Sequence, residues 1–188
     1  RPMIITDKGV RANGLLEPVE AAFDATEVKI GFIFDDVPPD SSLETVKSVA
    51  DAYRTNACDA IIAIGGGSVI DTAKAANILV TEGGDDLLKY SGAHNLPKPL
   101  KPFFVVPTTS GTGSEVTNIA ILSDTANQMK QGIVSDCLLP DVAIVSPLMS
   151  VSCPANVTAA SGIDALVHAL EAYISLNHSD ITDALAIQ

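Results

Sequence analysis

Short, wholly apolar runs alternate along this chain with longer stretches in which apolar residues recur every three or four positions, the pattern of strands alternating with helices. Residues 3–6 (Met-Ile-Ile-Thr) read as a first strand, stopped by Asp7-Lys8-Gly9. Leu15, Leu16, Val19 and Phe23 share a helical spacing and predict a helix over 14–25. A second strand is expected over 28–34, closing on Asp35-Asp36 and a Pro38-Pro39 loop. Ser41 or Ser42 can cap the next helix, whose apolar positions Leu43, Val46, Val49 and Ala50 fit one face.

Residues 60–64 are apolar without interruption, as expected of a strand covered on both faces in a parallel sheet. They run directly into Gly65-Gly66-Gly67-Ser68 and a helix over 69–80. A fourth buried strand, 103–106, enters the loop from Pro107 to Glu115, and shorter strands follow at 119–122, 132–134 and 142–145, punctuated by Pro140 and Pro147. This order predicts an α/β domain on a mostly parallel sheet over residues 1–153. After Pro154 the pattern becomes purely helical over 156–174, with the proline well placed at a helix start. Residues 154–188 therefore read as the opening of a second, all-helical domain.

Composition narrows the function classes. Hydrophobic residues make up 47% of the 188 and charged residues 18%, a globular balance. A net charge of −12 and a pI near 4.4 argue against nucleic acid and against an anionic membrane face, both of which select basic surfaces. No segment reaches the roughly 18 uninterrupted apolar residues of a membrane span. Cys58, Cys137 and Cys153 are widely spaced, which fits small core residues in a reducing, cytoplasmic setting rather than a metal cluster or disulfides. The start at Arg1-Pro2 has no signal-peptide pattern, and Gln188 falls inside an apparent helix; both ends are expected to be cuts.

Three places carry potential chemistry. Gly65-Gly66-Gly67-Ser68, with Asp71 following, lies where a strand turns into a helix, so backbone N–H groups and the positive end of the helix dipole meet at one point. Glycines there allow close approach of an anion, and a nucleotide phosphate is the natural ligand. The turn is neither a GxGxxG fingerprint nor a P-loop, and the alternative is a tight connection that needs glycine only for its bend. The second place is the loop Pro107-Thr108-Thr109-Ser110-Gly111-Thr112-Gly113-Ser114-Glu115, on the same edge of the sheet, where open α/β sheets bind ligands. Taken singly it reads as an ordinary polar loop; its position facing the glycine turn favours a ligand. The third is Asp164 and His168, four residues apart and so about 400° around a helix, stacked on one face. Carboxylate and imidazole suit a divalent first-row metal, yet a catalytic site typically takes three protein ligands. His178 cannot join from that face, Glu171 can stand behind the pair, and a plain surface Asp–His pair is the alternative.

Together these runs, GGGSVIDTAKA (65–75), PTTSGTGSEVT (107–117) and SGIDALVHALEAY (161–173), closely resemble the iron-containing alcohol dehydrogenase family, as do ITDKG (5–9) and LLPDVAIVSP (138–147). The resemblance covers essentially the whole chain. It implies a Rossmann-like nucleotide domain followed by an all-helical domain, with the active site between them. It also implies hydride transfer between a primary or short-chain alcohol, or the corresponding aldehyde, and NAD at an Fe(II) site, sometimes zinc. By motif position Gly66, Gly67, Ser68 and Asp71 would line the cofactor phosphates, and Thr108, Thr109 and Thr112 the diphosphate and nicotinamide side. Asn118 and Lys130 would stand close to the ribose, and Asp164 and His168 would be the first two metal ligands. Asp7 matches the acidic residue of NAD-preferring members, where a carboxylate accepts from ribose hydroxyls and repels the extra phosphate of NADP. The family's Asn-Pro-Thr turn is here Pro39-Asp40-Ser41, which puts the adenine-side contact at Asp40. No catalytic side chain is assigned, and the family's two further histidine ligands have no counterpart, so this chain alone is expected to be inactive. Homo-oligomers are common in the family. Two other readings stand beside this one: a polyol dehydrogenase acting on glycerol or propanediol, and a non-catalytic nucleotide-binding module.

Overall fold

The structure, a computed structural model, describes residues 1–125 and 127–188. In chain order its elements are β1 Pro2–Ile5, α1 Lys8–Ala12, α2 Glu17–Asp24, β2 Phe32–Phe34, α3 Leu43–Thr55, β3 Ala60–Gly65 and α4 Gly67–Glu82. They continue with β4 Gly92–Ala93, β5 Phe103–Pro107, β6 Ile119–Asp124, β7 Met129–Val134, β8 Val142–Ala143, α5 Ala155–Ile174 and α6 Asp180–Ile187. Five strands form an all-parallel sheet in the order β2-β1-β3-β5-β8. The chain moves outward from β1 to β2 and then returns past β1 to β3, so a topological switch point lies between β1 and β3. That is where sheets of this order bind ligands.

The unbroken apolar strands are explained by helices on both faces. Met3, Ile5, Ile61, Ala63, Phe103 and Val105 face one cluster with Val46, Val49 and Ala50 of α3 and Ile70, Ala73 and Ile78 of α4. Ile4, Ile62, Ile64 and Val106 face the other, with Val10 of α1, Leu16 and Met149. Helix α4 is buried over nearly its whole length, because the hairpin β6–β7 covers the side that the sheet and α3 leave open.

Several boundaries differ from the sequence expectation. The predicted helix over 14–25 is the shorter α2, and α1, which the periodicity did not reveal, precedes it. Asp7, extended at φ −122° and ψ 165°, caps α1 by accepting the Val10 N–H at 2.9 Å, so Asp7-Lys8-Gly9 starts a helix as well as stopping a strand. Gly14 then reverses the chain at φ +69°, and α2 begins with Pro18 in its first turn. The second strand is shorter than 28–34. Val28 donates its N–H to the Thr26 hydroxyl (3.2 Å), and β1 engages β2 only from Met3↔Phe32 to Ile5↔Phe34. β6 and β7 are longer than predicted and pair antiparallel from Ile119↔Val134 to Asp124↔Met129. Alongside β4, a strand the periodicity did not reveal, they form a separate three-stranded sheet.

α5 and α6 pack on each other yet bury no residue fully; Ile163, Leu166, Leu170, Ile174, Ile181 and Leu185 are all exposed. Among the described residues no helix is long and apolar enough to cross a membrane.

Candidate nucleotide and metal site

Because the sheet is parallel, Asp7 after β1, Asp35-Asp36 after β2, the glycine turn after β3 and the threonine loop after β5 emerge on one edge. They meet the start of α5 around a cavity of about 730 Å³, within the range of small-molecule sites. Its walls include Asp7, Gly66, Gly67, Ser68, Thr108, Thr109 and Thr112, seven of the eleven cofactor residues expected from sequence. Lys8, Asp36, Pro38 and Pro39 close the β1–β2 end, and Cys153, Val157 and Ser161 the α5 end.

Gly66 caps α4 in extended conformation (φ −84°, ψ −170°), with no side chain bonded to the first turn of a 16-residue helix. The Gly67 and Ser68 N–H groups and the helix dipole are thus available to an anion in the cavity, while the Val69 N–H turns back to the Gly66 carbonyl at 3.1 Å. None of these three glycines adopts a positive φ. They are needed for space. A Cβ on Gly65 would lie 2.6 Å from Val69 Cγ2, one on Gly67 2.7 Å from Thr112 Cγ2, and one on Gly66 3.1 Å from Thr109 Oγ1. The two motifs are packed against each other backbone to side chain, and the Thr108 N–H donates to the Gly65 carbonyl at 3.0 Å. The turn needs glycine for close approach of the second loop as much as for close approach of a ligand.

The remaining four expected residues stand behind or beside the cavity. Asp40, left-handed at φ 52°, donates its N–H to Ser68 Oγ (3.3 Å) and holds Lys130 Nζ on its carboxylate (2.5 Å), tying the Pro38–Pro39 loop to β7. Asn118 donates to Asp136 Oδ1 at 2.8 Å. Asp71 does not line the cavity: its Oδ2 accepts the Ile121 N–H at 3.1 Å, fastening α4 to β6. Burial pushes the Asp71 carboxyl above the usual carboxylate range, opposed by the Ile121 N–H, the Lys74 charge and Ser114.

Lys74 escaped the sequence reading. It is fully buried, and its ammonium donates to the carbonyls of Thr117 and Ile119 (2.8 Å each) and to Thr117 Oγ1 (3.2 Å). Burial pulls its pKa down to about 8, against the attraction of Asp71 and Glu115. A lysine three residues beyond an aspartate inside an otherwise apolar helix was the available signal.

On α5, His168 Nε2 lies 3.8 Å from Asp164 Oδ1, and both side chains are about half exposed. Val157 and Ser161 line the cavity, and Asp164 and His168 continue the same helical stripe at i+3/i+4 steps. The donor pair therefore extends from the cavity wall. Its chemistry suits iron or zinc, but among the described residues no group of three or more His, Cys, Asp or Glu is placed to hold a metal. His178 is engaged by Asp183 at 2.9 Å. The pair fits as part of a metal site and is not one by itself.

Comparison with known proteins agrees with this geometry. The family model for iron-containing alcohol dehydrogenase matches residues 1–147, and that for the C-terminal part of the Fe-containing alcohol dehydrogenase family matches residues 158–188. The NAD-dependent methanol dehydrogenase of Bacillus methanolicus is 38% identical over 188 residues, 100% of this chain and 49% of that protein. The crystal structure of a 1,3-propanediol oxidoreductase superimposes with a TM-score of 0.92 at 40% identity, covering 99% of this chain and 48% of the other. The sulfoacetaldehyde reductase of Bifidobacterium kashiwanohense, solved in complex with NAD+, gives a TM-score of 0.85 at 33% identity over 98% of this chain and 48% of its own. The chain spans about half the length of the relatives it matches.

Proposed function

The chain belongs to the iron-containing alcohol dehydrogenase family, and from that premise we propose that it supplies the NAD-binding side of an enzyme oxidising primary or short-chain alcohols. The domain division falls at residues 153/154, just before α5. The observation that carries the reading is the cavity in which the uncapped start of α4, the threonine loop and Ser161 of α5 converge, with Asp164 and His168 next along the same helical stripe. The glycine turn takes the cofactor diphosphate, Thr108, Thr109 and Thr112 hold the diphosphate and nicotinamide side, and Asp7 takes the ribose hydroxyls. Asn118, Lys130 and Asp40 act from the rim, and Asp71 fixes α4 in place. The alcohol's carbinol hydrogen leaves as hydride to the nicotinamide and its hydroxyl proton leaves to solvent, giving aldehyde, NADH and H⁺. Asp164 and His168 would hold Fe(II), or zinc in its place, which polarises the alcohol oxygen.

A polyol substrate is a second reading, supported by the likeness to the 1,3-propanediol oxidoreductase. Turnover of 1-propanol against 1,3-propanediol, once the remaining metal ligands are supplied, separates the two. The three cysteines are all free, in keeping with a cytoplasmic protein, and a homo-oligomer is expected from the family resemblance. The first test is calorimetric titration with NADH in the absence of metal. Saturable one-site binding, weakened by Gly67→Ala, is expected; absence of binding would overturn the nucleotide reading.

A further inference from the structure

The ribose end of the cavity carries a second carboxylate besides Asp7. Asp36, at the carboxyl end of the neighbouring parallel strand β2, lines the same cavity and lies 2.5 Å from Lys8 Nζ across the gap. One helical turn on, Arg11 is held the same way by Asp35 at 2.6 Å. Both cations of α1 are therefore neutralised from β2. Lys8 is the one of the two that lines the cavity.

Resting on the nucleotide reading above, we propose that Asp36 is a specificity residue that works with Asp7 to exclude NADP, by adding negative charge at the ribose and by keeping Lys8 occupied. A 2′-phosphate brings close to two negative charges to this end of the cavity. With Asp36 present it meets Asp7, Asp36 and a lysine already paired. Without Asp36 it meets Asp7 and a lysine free to swing onto it, since Lys8 is 77% exposed and carries a flexible stem. An exposed ion pair contributes little to stability, so its removal spares the fold while cancelling the local excess of negative charge. NAD, with a neutral 2′-hydroxyl, is nearly indifferent to that change.

The test is calorimetric titration of NADH and NADPH into the chain and its Asp36→Asn, Asp36→Asn/Lys8→Met and Glu27→Gln variants. Glu27, exposed and outside the cavity, controls for net charge. Asp36→Asn is expected to tighten NADPH about tenfold relative to NADH, the size of one to two unit charges acting across a wet cleft. The added Lys8→Met should cancel that gain, and Glu27→Gln should not reproduce it. NADH binding with a cofactor ratio that Asp36→Asn leaves unchanged would overturn the role of Asp36 alone. If the unaltered chain binds neither nucleotide, the nucleotide reading fails and this inference fails with it.

Discussion

Gly111 lies directly on the backbone of Ser161: a Cβ at Gly111 would stand 2.4 Å from the Ser161 carbonyl oxygen and 2.9 Å from its Cα. The threonine loop of the α/β domain and the first turns of α5 are thereby held at backbone contact. This contact fixes the spacing between the threonine loop and the α5 wall of the cavity. Gly111→Ala cannot be relieved by a rotamer change, because the obstacle is main chain. It should destabilise the chain by about 1–3 kcal/mol, as overpacking generally does, and weaken NADH at least severalfold. Gly113, at φ +63° with open space around its Cβ position, should accept Asn with little effect on either. Equal tolerance at the two positions in melts and titrations would contradict the contact.

Gly67 and Thr112 form the second close contact, and here the obstacle is a side chain. Gly67→Ala alone should lower stability and NADH affinity. In a Thr112→Ala background, which removes the atoms at 2.7 and 3.0 Å, most of the stability loss should vanish. A double-mutant cycle in urea reads this as a coupling of about 0.5–3 kcal/mol, and strictly additive effects would show that the loops are not in register.

Lys74 makes stability depend on pH in the alkaline range. Its pKa falls from 10.5 to about 8 on folding, chiefly through burial. Between those values the unfolded chain holds a proton that the folded chain has released, so this residue's contribution to stability rises with pH. Below pH 8 the buried charge costs about 3 kcal/mol, and that cost disappears progressively towards pH 10.5. The stability of the natural chain minus that of Lys74→Met should therefore grow over this window. Tyr53, raised to about 12, and Cys58, also raised, act in the opposite sense but are common to both proteins and cancel. A difference that stays flat from pH 7 to 10 would refute the buried ammonium.

Asp7 has two separable jobs, capping α1 and facing the cavity. Asp7→Asn keeps a side-chain acceptor for the Val10 N–H and removes the charge. It should leave the melting temperature nearly unchanged while shifting preference towards NADPH. Asp7→Ala should lose about 0.5–2 kcal/mol of stability as well. Matching melts for Asn and Ala would mean the cap is unimportant.

The sequence made the layered α/β plan legible through particular runs. Residues 60–64 are apolar at every position because both faces of β3 are covered, and four-residue spacing alone puts Asp164 and His168 on one face. Those are local periodicities, fixed by the rise and twist of each element. Residues 14–25 misled because Leu15 belongs to the turn between two helices, yet packs into the same cluster as Leu16 and Val19. Periodicity records burial on a face and is blind to a chain reversal that leaves the face intact.

What the residues determined alone was the alternation of buried strands and helices and which edge carries the glycines, threonines and acids. What only the tertiary structure decided was which of them share a cavity. Asp71 and Lys74 belong to the same motif as Gly67 and Ser68, but lie on the side of α4 turned to the hairpin and serve as its fastenings. Asp36 and Lys8, unremarkable in sequence, come together because β1 and β2 are parallel neighbours whose ends coincide. Contacts of that kind depend on strand order and register, set by burial summed over the whole core, and no local spacing encodes them.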